Sequence, residues 1–277
     1  MTTLSSPAVV GAPPARSAAP ARRARRRGAR KLAGWLLPLG VVLVWELLAR
    51  LGLVPAHWFP APTRIYETLS TLGASGLLFK HVGATLLRVC LGFVGGALLG
   101  TALGVATGRS ARLCALLDPS LQALRSIPSL AWVPLFLLWL GIGETSKVSL
   151  IALGVFFPVY LNSTTGIAAI DPRLLEVAAL FEYRGARLAR QVLLPAALPA
   201  YITGLRSGLA LGWMFVVAAE LMGASRGLGY LLVDGQTTSR PDLVLGAIAC
   251  FALLGKLTDI PFQAWSRRWR STGLMGR

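Results

Sequence analysis

The chain has 277 residues, with 28 Lys and Arg against 11 Asp and Glu and a net charge of +17, yet only 14% of its positions are charged and 55% are hydrophobic. Soluble domains carry about 25% charged residues, so there is too little polar side chain here to cover a water-soluble globule. The composition excludes an ordinary soluble enzyme and fits an all-α, polytopic membrane protein, whose spans each need about 20 apolar residues.

Residues 1–33 read as a disordered basic cytoplasmic tail. It holds eight basic residues and no acid, ending in Arg22, Arg23, Arg25, Arg26, Arg27, Arg30 and Lys31. A nucleic-acid arm would carry interleaved aromatics, and none are present, so no nucleic-acid partner is expected. No clean small-x-small site follows to mark a cleaved signal peptide.

Six spans are expected in a transmembrane domain over 34–270, near 34–51, 88–108, 126–143, 148–170, 203–225 and 243–263. Arg88 and Arg109 bracket 20 uncharged residues, Arg125 and Glu144 bracket 18, and Lys147 and Asp171 bracket 23. These runs are too long and continuous for alternating barrel strands. Between the first two spans, Pro55, Pro60 and Pro62 lead into an amphipathic stretch from Thr63 that is expected along the outer interface. With the tail placed in the cytoplasm, that side collects 20 Lys and Arg and the opposite side five. The asymmetry predicts both termini inside.

Within the second span, Gly92, Gly96, Gly100, Gly104 and Gly108 recur every four residues, which puts them on one helix face and invites close packing by a neighbour. Pro128, Pro134 and Pro158 interrupt the third and fourth spans. Such prolines mark either a water-lined translocation path or simple bends. Of the ionisable residues inside spans, Glu46, Arg88, Glu220, Lys256 and Asp259 should face protein or snorkel, because a charge facing lipid costs about 3 kcal/mol or more. Glu220 is a candidate for the path, and Lys256 and Asp259 are spaced to pair with each other.

Motifs for chemistry are weak. Gly223-Ala224-Ser225-Arg226-Gly227 fits G-x-S-x-G, but a membrane helix precedes it and both histidines, His57 and His81, lie upstream, which is wrong for a nucleophile elbow. Gly255-Lys256-Leu257-Thr258 lacks the upstream glycine of a phosphate-binding loop, so no ATP site of its own is expected. Cys90, Cys114 and Cys250 are widely spaced in or beside apolar runs, and the histidines have no partner at ligand spacing; no metal or other cofactor is expected. Asn162-Ser163-Thr164 is a formal glycosylation sequon, but one placed inside a span.

The segment 171–199 is too polar to cross and unusually long for a bundle connection. Asp171-Pro172 should start a helix with Leu174, Leu175, Ala178 and Ala179 on one small apolar face, Gly185 should break it, and Leu188 and Val192 should continue a second helix to Pro195. Such a pair serves either as a docking element for a partner's groove or as a loop resting on its own bundle.

Glu176, Ala178, Ala179, Gly185, Val192, Leu194 and Pro195 resemble the EAA loop of ATP-binding-cassette importer permeases, with the glutamate and the closing Leu-Pro at the family's spacing. Leu124-Arg125-Ser126-Ile127-Pro128, Trp139 to Glu144, Gly204-Leu205-Arg206, Ala219-Glu220-Leu221 and Leu253 to Asp259 agree with it. The resemblance covers roughly residues 35 to 270 and is to permeases for aliphatic sulfonates, taurine and nitrate, the last of these segments favouring the sulfonate branch. It departs at the loop glycine, which is Glu182 here. The resemblance implies a type I importer permease of a bacterial inner membrane, paired as a homodimer in the lipid bilayer. It also implies an ATPase subunit that uses ATP and Mg on the coupling loop and a binding protein outside. An ion-gradient-driven secondary transporter is the alternative, although the inverted halves usual for that class are not evident.

Overall fold

The computed structural model describes residues 36–55 and 57–271; the basic tail expected over 1–33 lies outside the described residues. Among the described residues the secondary structure is helical, with no strand. Two units separate at Val54 and Pro55. In the first, residues 36–50 form a helix, α1, in which Arg50 pairs with Glu46 one turn earlier at 2.5 Å. That pair satisfies a carboxylate that the sequence alone sends to a bundle interior or an interface.

The second unit begins with α2 (Pro62–Ala74), which has Pro at its first turn where the missing N–H costs nothing. Then come α3 (Leu77–Arg109), α4 (Ala111–Ser126), α5 (Trp132–Leu140) and α6 (Glu144–Ala168). After α7 (Pro172–Leu180) and the single turn α8 (Gly185–Leu188), a π-helical stretch at Ala189–Leu193 leads into α9 (Leu194–Leu221); α10 (Leu228–Thr237) and α11 (Pro241–Ser271) complete the described residues. Four helical segments are long and apolar enough to cross a membrane: Leu77–Arg109, Glu144–Ala168, Arg190–Leu221 and Pro241–Arg267.

The span expected over 126–143 is not one helix. Pro128 disfavours helical backbone at the residue before it, and Ile127 is extended at φ −68° and ψ 125°. α4 therefore stops at Ser126, one 3-10 turn follows at Ser129–Ala131, and α5 runs only nine residues before Gly141 turns it off at φ +74°. Nine residues rise about 14 Å, half a hydrocarbon core. The connection expected at 109–125 is helical instead, with Ser110 capping the Leu113 N–H and Asp118 accepting from the Tyr160 hydroxyl of α6 at 3.1 Å.

α6 is the central element, packed between α3 and α9. Its buried residues Leu150, Ile151, Val155 and Val159 join Val89 and Ala97 of α3 and Leu205, Leu209, Phe215 and Val216 of α9. A second cluster, Leu228 and Leu231 of α10 with Leu243 and Ala247 of α11, is packed by Leu72 of α2 and by Leu78 and Val82 of α3.

Glycines set the closeness of these contacts. A methyl group on Gly96 would collide with the Ala152 carbonyl, one on Gly100 would sit 2.8 Å from the Phe156 carbonyl, and those on Gly92, Gly104 and Gly108 would meet Ile151, Ser163 and Ile167 at 2.5, 2.5 and 2.9 Å. All five therefore face α6. A second ladder, Gly204, Gly208 and Gly212 of α9, presses on the other side of α6 at Asn162 and Val155, at 2.7, 3.2 and 3.1 Å. With no hydrophobic drive between helices in lipid, backbone approach of this kind supplies the packing attraction.

Candidate functional site

The loop between α6 and α9 is built from its caps. The Asp171 carboxylate accepts from the Arg173 N–H at 2.9 Å and Pro172 opens α7. At the other end the Glu182 N–H donates to the Ala179 carbonyl at 3.0 Å and the Tyr183 N–H to the Ala178 carbonyl at 2.9 Å. This is the bonding pattern of a Schellman motif, which needs a left-handed residue at the position after the cap. Glu182 holds it at φ +58°. A side chain at the site of the family's glycine thus adopts the conformation a glycine would take freely. Gly185 is also left-handed, at φ +53°, and opens α8.

α7 shows an apolar surface of Leu174, Leu175, Val177 and Leu180, with Phe181 beyond it; Leu180 is 83% exposed. Glu176 and Ala179 are exposed as well. Ala178 departs from the expected face: it is 3% exposed and turned into the protein. Leu194 and Pro195 are the first two residues of α9. The membrane helix thus starts inside the segment expected as loop, and α7 connects to it through a π stretch, a feature frequent at functional sites.

A buried ion cluster ties together the far ends of three helices. Arg88 of α3 donates through Nη1 to Glu220 of α9 at 2.6 Å and to the Arg226 carbonyl at 2.7 Å, and through Nε and Nη2 to both oxygens of Glu144 of α6 at 2.5 and 2.6 Å. Glu220 further accepts from Thr85 Oγ1 at 2.9 Å and from the Gly229 N–H at 2.7 Å, while Leu228 N–H donates to Thr85. The side chains of Arg88 and Glu220 are 2% and 0% exposed. Every nitrogen of the guanidinium and both oxygens of Glu220 are engaged, which is the condition under which a buried pair is tolerated. The turn after α9 folds over the carboxylate: a methyl on Gly227, at φ +130°, would lie 2.6 Å from its carbon. The G-x-S-x-G match therefore ends in a packing glycine.

Glu220 lines neither of two sizeable cavities. One, of about 530 Å³, is bounded by Pro128, Ile127, Trp132, Phe157, Pro158 and Met214 together with the polar Asn162, Ser207 and Arg125. Two of the three expected path prolines meet there; Pro134 sits in the first turn of α5, where its missing N–H is harmless. The Asn162 amide donates to the Pro158 carbonyl at 2.8 Å within α6. The other cavity, of about 660 Å³, lies between α9 and α11 and is lined by Arg206, Lys256, Asp259, Thr203, Ser207 and Trp213 among others. There Asp259 pairs with Arg206 at 2.9 and 3.0 Å and accepts from Gln263, rather than pairing with Lys256.

The structure thus brings the five ladder glycines to one seam, Pro128 and Pro158 to one cavity, and Glu176, Ala179 and Glu182 to one exposed helix and its cap. The cluster around Arg88, the second ladder and the cavity at Lys256 escaped the sequence reading. The four-residue spacing of Gly204, Gly208 and Gly212 was the available signal for the second.

Residues 96–271 match the family described as binding-protein-dependent transport system inner membrane component. The chain is 42% identical over 259 residues to the aliphatic sulfonates transport permease protein SsuC of Bacillus subtilis, covering 91% of this chain and 94% of that relative. It is 37% identical over 236 residues to the taurine transport system permease protein TauC of Escherichia coli, covering 83% and 86%. A chain of the inward-facing MetNI methionine ABC transporter superposes with a TM-score of 0.58 at 20% identity, covering 73% of this chain and 98% of that one, a likeness of fold.

Proposed function

The chain belongs to the binding-protein-dependent transport system inner membrane components, and from that premise we propose that it carries an aliphatic sulfonate, or a similarly small anion such as taurine or nitrate, through a bacterial inner membrane. It is the permease subunit of an importer. The nucleotide belongs to a partner ATPase that uses ATP and Mg, an external binding protein delivers the anion, and two copies of this chain form the pathway. Both termini face the cytoplasm in this reading, which rests on the 20 to five distribution of Lys and Arg.

The observation that carries the coupling role is the exposed apolar surface of α7, Leu174, Leu175, Val177 and Leu180, held by a capped start and a Schellman end. A short amphipathic helix with rigid ends suits insertion into a partner's groove. Closure of the ATPase pair then moves α7 as a lever, and the π stretch passes the motion to α9, whose Ser207, Leu211 and Met214 line the cavity at Pro128 and Pro158. Nucleotide drives the change only insofar as the partner binds the two states of this lever unequally.

Reconstitution of the permease with its ATPase and binding protein in liposomes tests the reading. ATP-dependent accumulation of labelled ethanesulfonate, taurine or nitrate is expected. Accumulation driven by a proton or sodium gradient without the ATPase would replace it with a secondary transporter.

A further inference from the structure

Lys256 stands midway along α11, inside a segment long and apolar enough to cross a membrane. An ammonium at that depth is expensive unless it faces a partner or a polar cavity. Asp259, one turn on, is shared: both its oxygens are engaged by Arg206, one of them also by Gln263, and Lys256 makes no close ion pair of its own among the described residues. Two cations and one anion line the same cavity of about 660 Å³, which leaves one positive charge uncompensated.

The remainder of the lining has two characters. Thr203 and Ser207 bring hydroxyls, while Leu209, Ala210, Ala252 and the Trp213 ring bring apolar wall. Trp213 is fixed by its indole N–H on Thr258 at 2.9 Å. Gly255 lies beside that ring, where even a methyl would make only an ordinary contact at 3.9 Å, and Phe251 meets the ring edge-on with centroids 6.2 Å apart, so the half-buried indole forms one fixed wall of the cavity. A cavity of this size, mostly apolar with a few convergent polar groups, is the usual form of a small-ligand site. Ser207 also lines the cavity at Pro128 and Pro158, so the two spaces share a wall residue on α9.

We propose that the cavity between α9 and α11 is a transit site for a small monovalent oxyanion with a short apolar tail, in which Lys256 receives the oxyanion and the Trp213 face and Leu209 receive the tail. The inference rests on the importer reading and adds the place where the chain itself holds its cargo. Lys256 is then a specificity-determining residue of the pathway. Arg206, committed to Asp259, is a positioning residue.

The test uses the full reconstituted complex with labelled ethanesulfonate as probe, in liposomes of phosphatidylcholine alone and of phosphatidylcholine with phosphatidylglycerol. Lys256→Gln should reach the membrane and bind its ATPase normally, yet raise the ethanesulfonate concentration for half-maximal uptake by about tenfold or more in both lipids, since a charge-assisted contact is lost. Lys256→Arg should restore most of it. Unchanged uptake by Lys256→Gln would overturn the proposal, as would a defect confined to liposomes containing phosphatidylglycerol, which would make the occupant a lipid headgroup. If the unaltered complex accumulates no anion under ATP, the failure lies with the importer reading instead.

Discussion

Arg88 and Glu220, 132 positions apart, meet at 2.6 Å in a site where both side chains are almost wholly buried. Their contact joins α3 to α9, and the second face of the guanidinium, on Glu144, joins both to α6. Removing Arg88 leaves the buried Glu220 carboxylate without its cation, whereas Arg88 would still hold Glu144 if Glu220 were lost. Arg88→Met is expected to cost about 3–5 kcal/mol, read as loss of thermal stability in detergent, and Arg88→Met with Glu220→Met to recover part of that loss. A single variant as stable as the parent would show that the pair carries no strain on removal.

The glycine seams allow an internal control. Gly95 and Gly96 are neighbours, yet a methyl on Gly95 would make only an ordinary contact with Ala152 at 3.9 Å, whereas one on Gly96 would collide with the backbone of the same residue. Gly95→Ala should stay within about 0.5 kcal/mol of the parent and Gly96→Ala should lose about 1–3 kcal/mol, as overpacking does. Equal midpoints for the two in a thermal melt would place the seam elsewhere.

Gly227→Ala should be worse still. Its added carbon would press on the Glu220 carboxylate and its φ of +130° is one that side chains rarely adopt. A loss of folded yield is expected, without any change that an esterase assay could detect, because the glycine packs and takes no part in a nucleophile elbow. Normal yield would contradict the packing role.

At the end of α7, Glu182→Gly should stabilise the helix end. Relief of a left-handed residue is worth about 1–2 kcal/mol, less the entropy glycine loses on ordering. Hydrogen exchange of the α7 amides should slow by several-fold, and faster exchange would mean that the glutamate makes a compensating contact.

How much of this was legible in the sequence varied with the range of the interaction. The ladder of Gly92 to Gly108 and the helix-starting Asp171-Pro172 are local patterns and could be read directly. Ion pairing could not: Lys256 and Asp259 looked like partners by spacing, but Arg206, far off in sequence, offers a two-pronged fork that an ammonium cannot match. Length and hydropathy joined residues 126–143 into one span, although Pro128 already carried the signal that its predecessor would leave the helix. The apolar pattern of α7 was visible, but which of its residues turn inward depends on tertiary packing that the local pattern does not carry, and Ala178 is buried while Leu180 is not. α10 was hidden in a stretch read only as a connection, because its Leu228 and Leu231 find their partners on α11.

Leu180 is the most direct probe of whether α7 couples this permease to an ATPase, because it is 83% exposed and contributes little to the subunit's own packing. A charge there is harmless in water and costs several kcal/mol in a desolvated contact. The measurement is co-purification of the ATPase with Leu180→Asp, together with ATP-driven uptake by the same preparation. A normal amount of permease in the membrane, no retained ATPase and no uptake are expected; Leu180→Asp that keeps both its ATPase and its transport would contradict the coupling role of α7.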